Sequence, residues 1–347
     1  MTGGWREERL APLARAATDH ALAYPYRVWG FGEDIALRAL LDVAELTGDP
    51  RPAAFVAELV GGWSRARPAL TPADHVAPGV PLLELFERGG EDHLLGTALA
   101  LGRLLAGFPR VDGVAVHRGD LAGWTTTVWV DCTALDGPFL ARLGRVTGDG
   151  AWSALAVDQL AAYARVLRDP GSGLWLHGYD VATRRASDHR WARGNGWALH
   201  GLVDTLAELP PHHPARSDLL ALLEPLLAAL AAHQDGSGLW RTLLDDPASP
   251  LERSTAPLFA SAALKARRLG LVPASQAAAV AAMIDRAVAA SLEVTGDDGA
   301  LQVSSATPVG DRATYVERTA GVYPWGQGPL LLTLIERRRP SAAEATV

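Results

Sequence analysis

The chain has 347 residues, of which 48% are hydrophobic, and its formal net charge is −7. This length is sufficient for a large buried core and allows one to three domains. Acidic and basic residues are interspersed without a basic stripe, which argues against nucleic acid as a partner. The single cysteine, Cys132, excludes an internal disulfide framework and indicates a reducing compartment. No signal-peptide core and no uncharged apolar run of about 18 residues is present, so the sequence predicts a soluble, cytoplasmic protein with no membrane partner.

Almost every periodic segment of the chain has the spacing of a helix with one buried face. Apolar residues recur at i, i+3 and i+4. The pattern predicts twelve helices, over residues 8–23, 33–46, 51–66, 81–88, 92–107, 137–146, 151–167, 198–209, 217–233, 255–269, 274–292 and 324–337. Two further segments predict strands, over residues 124–130 and 173–180.

The connections between these helices repeat. Leu46-Thr-Gly-Asp49 resembles Val146-Thr-Gly-Asp149, and a second turn type ends in Gly-Ser-Gly-Leu-Trp at both Trp175 and Trp240. Regularly returning helix pairs with equivalent turns indicate a helical array, which is either an open solenoid or a closed two-layer α/α toroid. Long aromatic and polar loops over 113–130, 174–189 and 239–254 favour closure, because such loops gathered at one end form a cleft. We predict one all-α domain over residues 1–340 and a frayed tail over 341–347.

The run Trp191-Ala-Arg193-Gly-Asn195-Gly-Trp197 has the composition of a sugar site. Indole faces stack on the apolar face of a pyranose, and the guanidinium of Arg193 suits a carboxylate. The two glycines would let a ligand approach the backbone closely. Two tryptophans at helical spacing more often belong to a core, but a purely structural helix start has little use for Arg and Asn between Gly and Trp.

Two acidic residues stand where loops meet predicted helices. Asp74, in Asp74-His-Val-Ala-Pro-Gly79, either caps local structure or has a chemical role. Asp131 lies at the junction of the predicted strand 124–130 with a helix, among aromatic and aliphatic neighbours. An acid in this position is either an N-cap or a catalytic group. Asp136, about one helical turn further on, is the plausible decoy: an acid that could be mistaken for the catalytic one.

Two other polar segments are weaker signals. His177 lies in the alternating strand predicted from Gly173 to Asp180, and a lone histidine on such a strand is more often structural than catalytic. In the segment from Glu252 to Phe259, Ser254 or Thr255 is expected to cap the following helix.

Five strings together resemble the unsaturated rhamnogalacturonyl hydrolases of glycoside hydrolase family 105 and their relatives, the unsaturated glucuronyl hydrolases of family 88. They occur in the family's order and span about 180 residues: Asp74-His-Val-Ala-Pro-Gly79, Trp129-Val-Asp131 with Gly137-Pro-Phe-Leu140, Gly173-Leu-Trp-Leu-His177-Gly-Tyr-Asp180, Trp191-Ala-Arg-Gly-Asn-Gly-Trp197 and Glu252-Arg-Ser-Thr-Ala256. Departures from the family pattern, which bear on substrate fit, are Leu135 where Met is common, Arg253, Pro257 and a short loop between His177 and Trp191.

The resemblance implies an (α/α)6 barrel and an unusual glycosidase chemistry. Polysaccharide lyases leave a sugar with a C4=C5 double bond beside its carboxylate, and members of the family hydrate that bond. By this analogy Asp131 donates a proton to C4 and helps water add at C5, after which the hemiketal opens and releases the aglycone. Asp74 is implied as the second catalytic carboxylate. The implied substrate-binding residues are His177, Arg193, Trp191, Trp197, His75 and Trp129, with no metal and no cofactor.

Rival functions remain open from the sequence. Another enzyme on the same barrel, such as an epimerase or a hydrolase of saturated glycosides, would use two histidines or two carboxylates across the cavity. The alternative that is not an enzyme is a carbohydrate-binding protein built on the same toroid. The sequence leaves undetermined whether the unsaturated residue is galacturonyl or glucuronyl, which sugar follows it, and the oligomeric state. We predict an unsaturated uronic-acid oligosaccharide as substrate.

Overall fold

The computed structural model describes residues 7–28, 32–71 and 77–339, which are mainly helical. In chain order the helices are α1 (Glu7–Ala23), α2 (Asp34–Thr47), α3 (Pro50–Val56), α4 (Gly62–Arg65), α5 (Gly79–Gly89), α6 (Asp92–Ala106), α7 (Thr133–Thr147), α8 (Gly150–Leu167), α9 (Ala192–Glu208), α10 (Arg216–Ala232), α11 (Thr255–Arg268), α12 (Ala277–Glu293), α13 (Arg312–Val316) and α14 (Pro324–Glu336). A π-helical turn, Ala57–Gly61, joins α3 to α4. The predicted tail, residues 341–347, lies outside the described residues.

The twelve predicted helices are confirmed, and the main differences concern their bounds and one additional helix. The helix predicted over 51–66 is divided by the π-helical turn, and the short helix α13 was not predicted. Helices α7 and α9 begin at Thr133 and Ala192, four and six residues before their predicted starts at 137 and 198. Gly137 and Pro138 in α7 and Gly194 and Gly196 in α9 have low helix propensity and hid the true starts, but tertiary packing outweighs propensity here.

The helices form two concentric layers. In the inner ring α2, α5, α7, α9, α11 and α14 each contact the next, and α14 contacts α2 again. The outer helices α1, α6, α8, α10 and α12 and the α3–α4 pair each pack against an inner helix that is adjacent in the chain. Six helical hairpins therefore close into the (α/α)6 toroid. Inner helices are covered on nearly all sides, and in α9 every residue from Ala192 to Leu206 is buried.

The repeated Thr-Gly-Asp turns connect inner helices to outer ones. Gly48 and Gly148 follow α2 and α7 with φ values of 71° and 72°, the left-handed conformation that ends a helix and that glycine adopts without strain. Asp49 and Asp149 then accept the backbone N–H groups of Arg51 and Ala151, each at 3.0 Å, and cap the next helix. These short turns lie at the C-terminal end of the inner ring.

The long loops enter the inner helices at their N-termini and carry short antiparallel strands. Two hairpins pair β1 (Arg110–Val111) with β2 (Val114–Ala115) and β6 (Trp240–Arg241) with β7 (Leu251–Glu252). A three-stranded sheet has the order β3 (Thr126–Trp129), β4 (Gly178–Asp180), β5 (Arg185–Ala186), and β8 (Gln302–Ser304) pairs with β9 (Ala320–Val322). Because each outer helix returns the chain, these loops gather at one end of the toroid.

The strand predicted over 173–180 is wrong for most of its length. Only residues 178–180 form β4, because the preceding backbone makes other hydrogen bonds: Leu176 N–H bonds to the carbonyl of Leu167, and Trp175 N–H to the side chain of Asn195. The strand predicted over 124–130 is present as β3. Among the helices of the described ranges, none has the length and hydrophobicity of a membrane span.

Candidate active site

A cavity of about 360 Å³ opens at the end of the toroid where the inner helices begin. Its walls come from the starts of inner helices and from the loops before them, and they combine five indoles with few charged groups. The lining residues are Gly32, Arg118, Trp124, Trp129, Asp131, His177, Trp191, Arg193, Trp197, Ala306, Thr307, Pro308 and Trp325. A largely apolar cleft with a few convergent polar groups is the usual form of a small-molecule site.

Asp131 is held at the inner wall of this cavity by the small sheet. It lies in a 3₁₀ turn, Val130–Cys132, between β3 and α7, and is 6% exposed. Trp129 pairs with Gly178 across β3 and β4, and Val130 N–H bonds to the carbonyl of His177 at 2.8 Å. The strand pairing therefore brings Asp131 beside His177, with 3.2 Å between Asp131 Oδ2 and His177 Nε2. Oδ2 is buried, and among the described residues it forms no hydrogen bond of good geometry, so the imidazole is close to it but not bonded to it.

His177 is positioned from its other side by Tyr315, a residue that the sequence analysis missed. Tyr315 lies on α13, and its hydroxyl is 2.9 Å from His177 Nδ1. Burial raises the pKa of Tyr315 above its usual value, so its hydroxyl keeps its proton. When that hydroxyl donates to Nδ1, the ring proton of neutral His177 sits on Nε2 and faces Asp131. Because 138 residues separate the two partners, no local pattern could have indicated this contact.

Arg193 lines the cavity, but several of its N–H groups already have acceptors. One terminal nitrogen lies 2.9 Å from the Ser305 carbonyl and 3.0 Å from Thr307 Oγ1. The other lies 3.3–3.4 Å from Glu252 Oε1, Ser254 Oγ and the Ser304 carbonyl. Desolvation by burial lowers the pKa of Arg193, although the negative charges of Glu252 and Asp131 oppose the shift. The guanidinium therefore holds the loop after β8 against the start of α9 while remaining on the cavity wall.

Glu252 is the buried anchor of this loop. Its Oε1 accepts from Ser254 Oγ at 2.8 Å, and its Oε2 accepts from Ser304 Oγ at 2.7 Å. The expected Ser254 cap is therefore wrong: Ser254 occupies the N-cap position of α11, but its hydroxyl donates to Glu252 and makes no cap hydrogen bond. Thr255 Oγ1 likewise donates to the Glu252 carbonyl, at 2.6 Å.

The glycines of the Trp191–Trp197 run serve helix packing, contrary to the expectation that they admit a ligand. A Cβ on Gly194 would lie 2.7 Å from Val130 Cγ1, and one on Gly196 would lie 2.2 Å from Leu258 Cδ2. Glycine is therefore required because α9 passes very close to its neighbours in the inner ring. Asn195 is also structural, since its amide bonds to the backbone of Trp175 and Trp191.

The predicted tryptophans all reach the cavity, with different surroundings. Trp191 is buried against polar neighbours: the His177 ring lies 4.4 Å from its ring, and Arg193 Cζ lies 4.6 Å from its centroid. Trp197 is also buried, whereas Trp129 is half-buried. Two indoles were missed: Trp325, whose Nε1 donates to the Ser304 carbonyl at 2.9 Å, and the exposed Trp124. Both tryptophans lie where a long loop ends, and this position in the sequence could have indicated that they belong to the site.

Of the other two acidic candidates, the structure describes Asp136 but not Asp74. Asp136 is fully buried away from the cavity, where Tyr163 donates to its Oδ2 at 2.7 Å and His117 Nε2 lies 3.2 Å away, so its interpretation as a decoy agrees with its position. Asp74 and His75 lie outside the described residues, and their predicted roles stay predictions. Within the described ranges, no three His, Cys, Asp or Glu side chains are grouped to hold a metal ion.

The location of the cavity favours an anionic ligand. Asp131, Arg193 and Trp325 lie at the starts of α7, α9 and α14. Helix N-termini carry partial positive charge and free backbone N–H groups, which stabilise anions. The site therefore combines a buried acid, an imidazole and aromatic walls in a region of positive helix potential, an arrangement suited to proton transfer on an anionic ligand.

Comparison with known proteins shows similarity over most of the chain. The model of Glycosyl Hydrolase Family 88 matches residues 13–340. The unsaturated rhamnogalacturonyl hydrolase YesR of Bacillus subtilis is 31% identical over 268 residues, 75% of this chain and 75% of YesR. A possible member of the GH105 family from Salmonella enterica serovar Paratyphi A superposes with a TM-score of 0.86 at 25% identity, covering 97% of this chain and 95% of that one. An unsaturated glucuronyl hydrolase from Bacillus sp. GL1 shares the fold, with a TM-score of 0.72, 15% identity and 95% coverage of each chain.

Proposed function

We propose a substrate and a mechanism for this chain from the premise that it belongs to Glycosyl Hydrolase Family 88 and is a glycoside hydrolase. It releases a 4,5-unsaturated uronic acid from the non-reducing end of oligosaccharides made by polysaccharide lyases. The preferred substrate is an unsaturated rhamnogalacturonyl oligosaccharide, since YesR, which is 31% identical over 75% of this chain, is named for that activity. An unsaturated glucuronyl substrate is the alternative.

The reaction begins with proton transfer to carbon. Asp131 donates its proton to C4 of the enol ether, and positive charge develops at C5 and the ring oxygen. Water then adds to C5 while its proton returns to Asp131, which restores the acid. The resulting hemiketal at C5 opens, and the aglycone leaves from C1 as the ring collapses to the keto-aldehyde. One water is consumed, and the glycosidic bond breaks without being protonated by the enzyme, so the carboxylate-separation rule for glycosidases does not apply.

The single observation that carries this mechanism is the placement of Asp131. Its carboxyl group is nearly buried, lies 3.2 Å from an imidazole and faces a cavity lined by indoles. A carboxylic acid in such surroundings can act as a general acid toward a bound sugar. His177, fixed by Tyr315, orients that acid.

The substrate carboxylate is bound by positive potential in this proposal. The N-terminal ends of the inner helices and Arg193 supply it, and the indoles of Trp197 and Trp129 contact the sugar ring. Arg193 uses much of its donor capacity on the 304–307 loop, so its effect on the ligand is mainly that of a fixed, buried charge.

The test is the absorbance of the double bond near 235 nm. The wild-type protein should abolish this absorbance when given an unsaturated galacturonyl-rhamnose disaccharide, and it should release no sugar from the same disaccharide with C4=C5 reduced. Faster consumption of unsaturated glucuronyl disaccharides would favour the alternative substrate. Cleavage of the reduced disaccharide, or no loss of absorbance with any lyase product, would overturn the proposed mechanism.

A further inference from the structure

We propose that Asp34, together with Asp131, binds and positions the water that adds to C5, in a small cavity on the axis of the toroid. This inference rests on the proposed function, because it concerns the second reactant of the same reaction. It gives the water a site on the inner side of the acid, away from the mouth of the substrate cavity.

The first observation is the small cavity itself, here called the axial cavity. Its volume is about 10 Å³, and Asp34, Arg38 and Asp131 contribute charged groups to its walls. This volume is about the lower limit for one water molecule, which also needs about two to four polar partners. The axial cavity is therefore large enough for one water and too small for a sugar.

The second observation is that the carboxyl group of Asp34 is buried without a hydrogen bond among the described residues. Asp34 is 3% exposed, and its Oδ2 lies 3.9 Å from Arg38 Nη1, which is beyond hydrogen-bond distance. A buried carboxyl group without a partner is costly, and a bound water commonly supplies the missing hydrogen bonds. Two polar groups separated by more than about 3.5 Å are also the usual partners of a bridging water.

Arg38 and Asp131 supply the other hydrogen-bond partners for this water. Arg38 donates to Asp204 through Nη2 at 2.7 Å, which leaves Nη1 for a water between it and Asp34. Asp131 lines both the axial cavity and the substrate cavity, and its Oδ2 forms no hydrogen bond of good geometry within the described residues. A water that binds these three groups lies directly against the proposed acid.

The third observation is the position of the axial cavity between two larger ones. Gly32, Asp131 and Trp197 line both the axial cavity and the substrate cavity. Arg38 and His200 line both the axial cavity and a cavity of about 570 Å³ at the C-terminal end of the inner ring. An oligosaccharide that enters from the N-terminal end covers that side of Asp131. The water consumed in each turnover can therefore be replaced from the C-terminal end.

A water in the axial cavity is placed for the second half of the reaction. Asp131 first gives its proton to C4, which leaves a carboxylate beside the water. The water oxygen then bonds to C5, and one water proton passes to Asp131. The other proton stays on the new hydroxyl group and is hydrogen-bonded to Asp34 until the product leaves. No further reactant is consumed, and Asp131 is again protonated.

The experiment measures which nucleophile adds to C5, with methanol as the competitor of water. Methanol addition gives a methyl ketal that keeps the glycosidic bond. The loss of absorbance near 235 nm therefore counts both additions, whereas released aglycone counts water addition only. In Asp34→Ala the ratio of methanol to water addition should rise by about fivefold or more, because the smaller side chain leaves room for a methyl group. Its kcat should fall by about tenfold or more at unchanged KM, because the water is no longer held in place.

Asparagine at this position separates water binding from the charge of the side chain. Burial raises the pKa of Asp34 to about 7, so near pH 6 the side chain is neutral and asparagine matches its charge and volume. Asp34→Asn should keep the wild-type ratio and most of kcat, since its amide oxygen still accepts from the water. Asp136→Asn is the matched control, because Asp136 is buried away from the axial cavity, and it should also keep the wild-type ratio.

A second variant tests the water site without removing a carboxyl group. Ala134, on α7, lines the axial cavity, and Ala134→Val would fill it. This variant should lower kcat by about tenfold at unchanged KM, because the water is excluded while the substrate cavity is not altered.

The outcomes separate this inference from the proposed function. A wild-type enzyme that consumes the unsaturated disaccharide, combined with an unchanged ratio in Asp34→Ala, overturns the water site and leaves the function intact. The same shift of the ratio in Asp34→Asn or Asp136→Asn shows a structural effect and also overturns it. If Asp34→Ala does not fold, wild-type kcat in Ala134→Val overturns the site, and a loss of kcat at unchanged KM supports it. If the wild-type enzyme consumes no lyase product, the proposed function and the water site fall together. A ratio that rises in Asp34→Ala and returns to the wild-type value in Asp34→Asn supports the water site.

Discussion

The two ends of the toroid are built from the same six helices but in opposite ways. At the N-terminal end of the inner ring, long loops and indoles surround a cavity where the charged groups are few and buried. At the C-terminal end, a second cavity of about 570 Å³ is lined by charged side chains from all six inner helices, including Arg38, Glu84, Arg142, Asp204, Lys265 and Glu336.

The charges at the C-terminal end pair with one another. Asp204 Oδ2 lies 2.7 Å from an Arg38 nitrogen, and Asp204 Oδ1 lies 2.6 Å from Lys265 Nζ. Arg142 contacts Glu84 at 2.7 Å, and Arg268 contacts Glu336 at 2.7 Å. Cations are also favourable near helix C-termini, where the helix dipole is negative.

The two ends have different roles: one contributes mainly to stability, and the other carries the proposed catalytic residues. At the C-terminal end of the inner ring, the charged side chains form ion pairs that connect neighbouring helices and stabilise the ring. At the N-terminal end, Asp131 Oδ2 lies 3.2 Å from His177 Nε2 but forms no hydrogen bond of good geometry within the described residues, so it remains available to a ligand. A small cavity on the axis, bounded by Asp131, Asp34, Arg38 and His200, lies between the two ends. Variants at each end should therefore have separable effects.

The largest effect is expected from Asp131→Asn, which should lower kcat/KM by about 10³-fold or more without changing the melting temperature. The amide keeps the volume of the side chain but cannot donate the proton. The loss of absorbance near 235 nm measures the rate. Asp136→Asn is the matched control, because Asp136 is equally buried but turned away from the cavity, and it should keep its activity within a few-fold. Retained activity in Asp131→Asn would remove Asp131 from the role of acid.

The residue between the two ends, Asp34, should make stability depend on pH. Burial raises the pKa of Asp34 to about 7; Arg38 opposes the shift, while Glu84 and Asp204 add to it. The folded state therefore binds this proton more tightly than the unfolded state, and stability is lost as pH rises from about 4 to about 7. Asp34→Asn should remove this loss and make the protein more stable than wild type at pH 8, by up to roughly 4 kcal/mol.

Urea unfolding at pH 4 and pH 8 measures the effect, and the two proteins should be nearly equal at pH 4, where Asp34 is protonated. A wild-type protein that loses no more stability than Asp34→Asn between these pH values would contradict the prediction.

Asp204→Asn, at the C-terminal end of the inner ring, should lower the free energy of unfolding while leaving catalysis intact. The change leaves the partly buried Arg38 and Lys265 without the buried carboxylate that they share, and removing one partner of such a pair costs about 3 kcal/mol. Asp42→Asn, which breaks a partly exposed pair with Arg339 at the same end, should cost about 1 kcal/mol or less. Urea unfolding measures both. A loss of kcat/KM in folded Asp204→Asn as large as that of Asp131→Asn would show that the two ends are not separable.

The smallest effect is expected from Arg193→Lys, which should lower kcat/KM by about tenfold. Lysine keeps the charge but cannot reproduce the planar set of donors that contacts Ser305 and Thr307. Comparing the unsaturated uronide with its methyl ester separates two causes. A loss confined to the free acid means that Arg193 recognises the carboxylate. An equal loss on acid and ester means that Arg193 only positions the loop, and contradicts its predicted role in binding.

Much of the site could be predicted from the sequence because its residues lie in local motifs. Asp131 follows the predicted strand 124–130, and His177 lies in the predicted strand 173–180. Arg193 and Trp197 belong to the run that immediately precedes the predicted helix 198–209, and all four residues line one cavity. Tyr315 and Glu252 could not be assigned in the same way, because their roles come from contacts with residues 138 and 59 positions away. Asp136 and Asp131 look alike in sequence, and only the direction of each side chain distinguishes them.

The sequence by itself determined the twelve helices and the turns between them, because apolar periodicity and Gly-Asp turn chemistry are local properties. It also determined the family, because the five motifs occur in one order along the chain. The tertiary structure decided which helices form the inner ring and why Gly194 and Gly196 are required there. It also decided that the charges at one end of the toroid are paired while Asp131 faces a cavity at the other. These features depend on distances between helices that are far apart in sequence, and such distances exist only after the ring has closed.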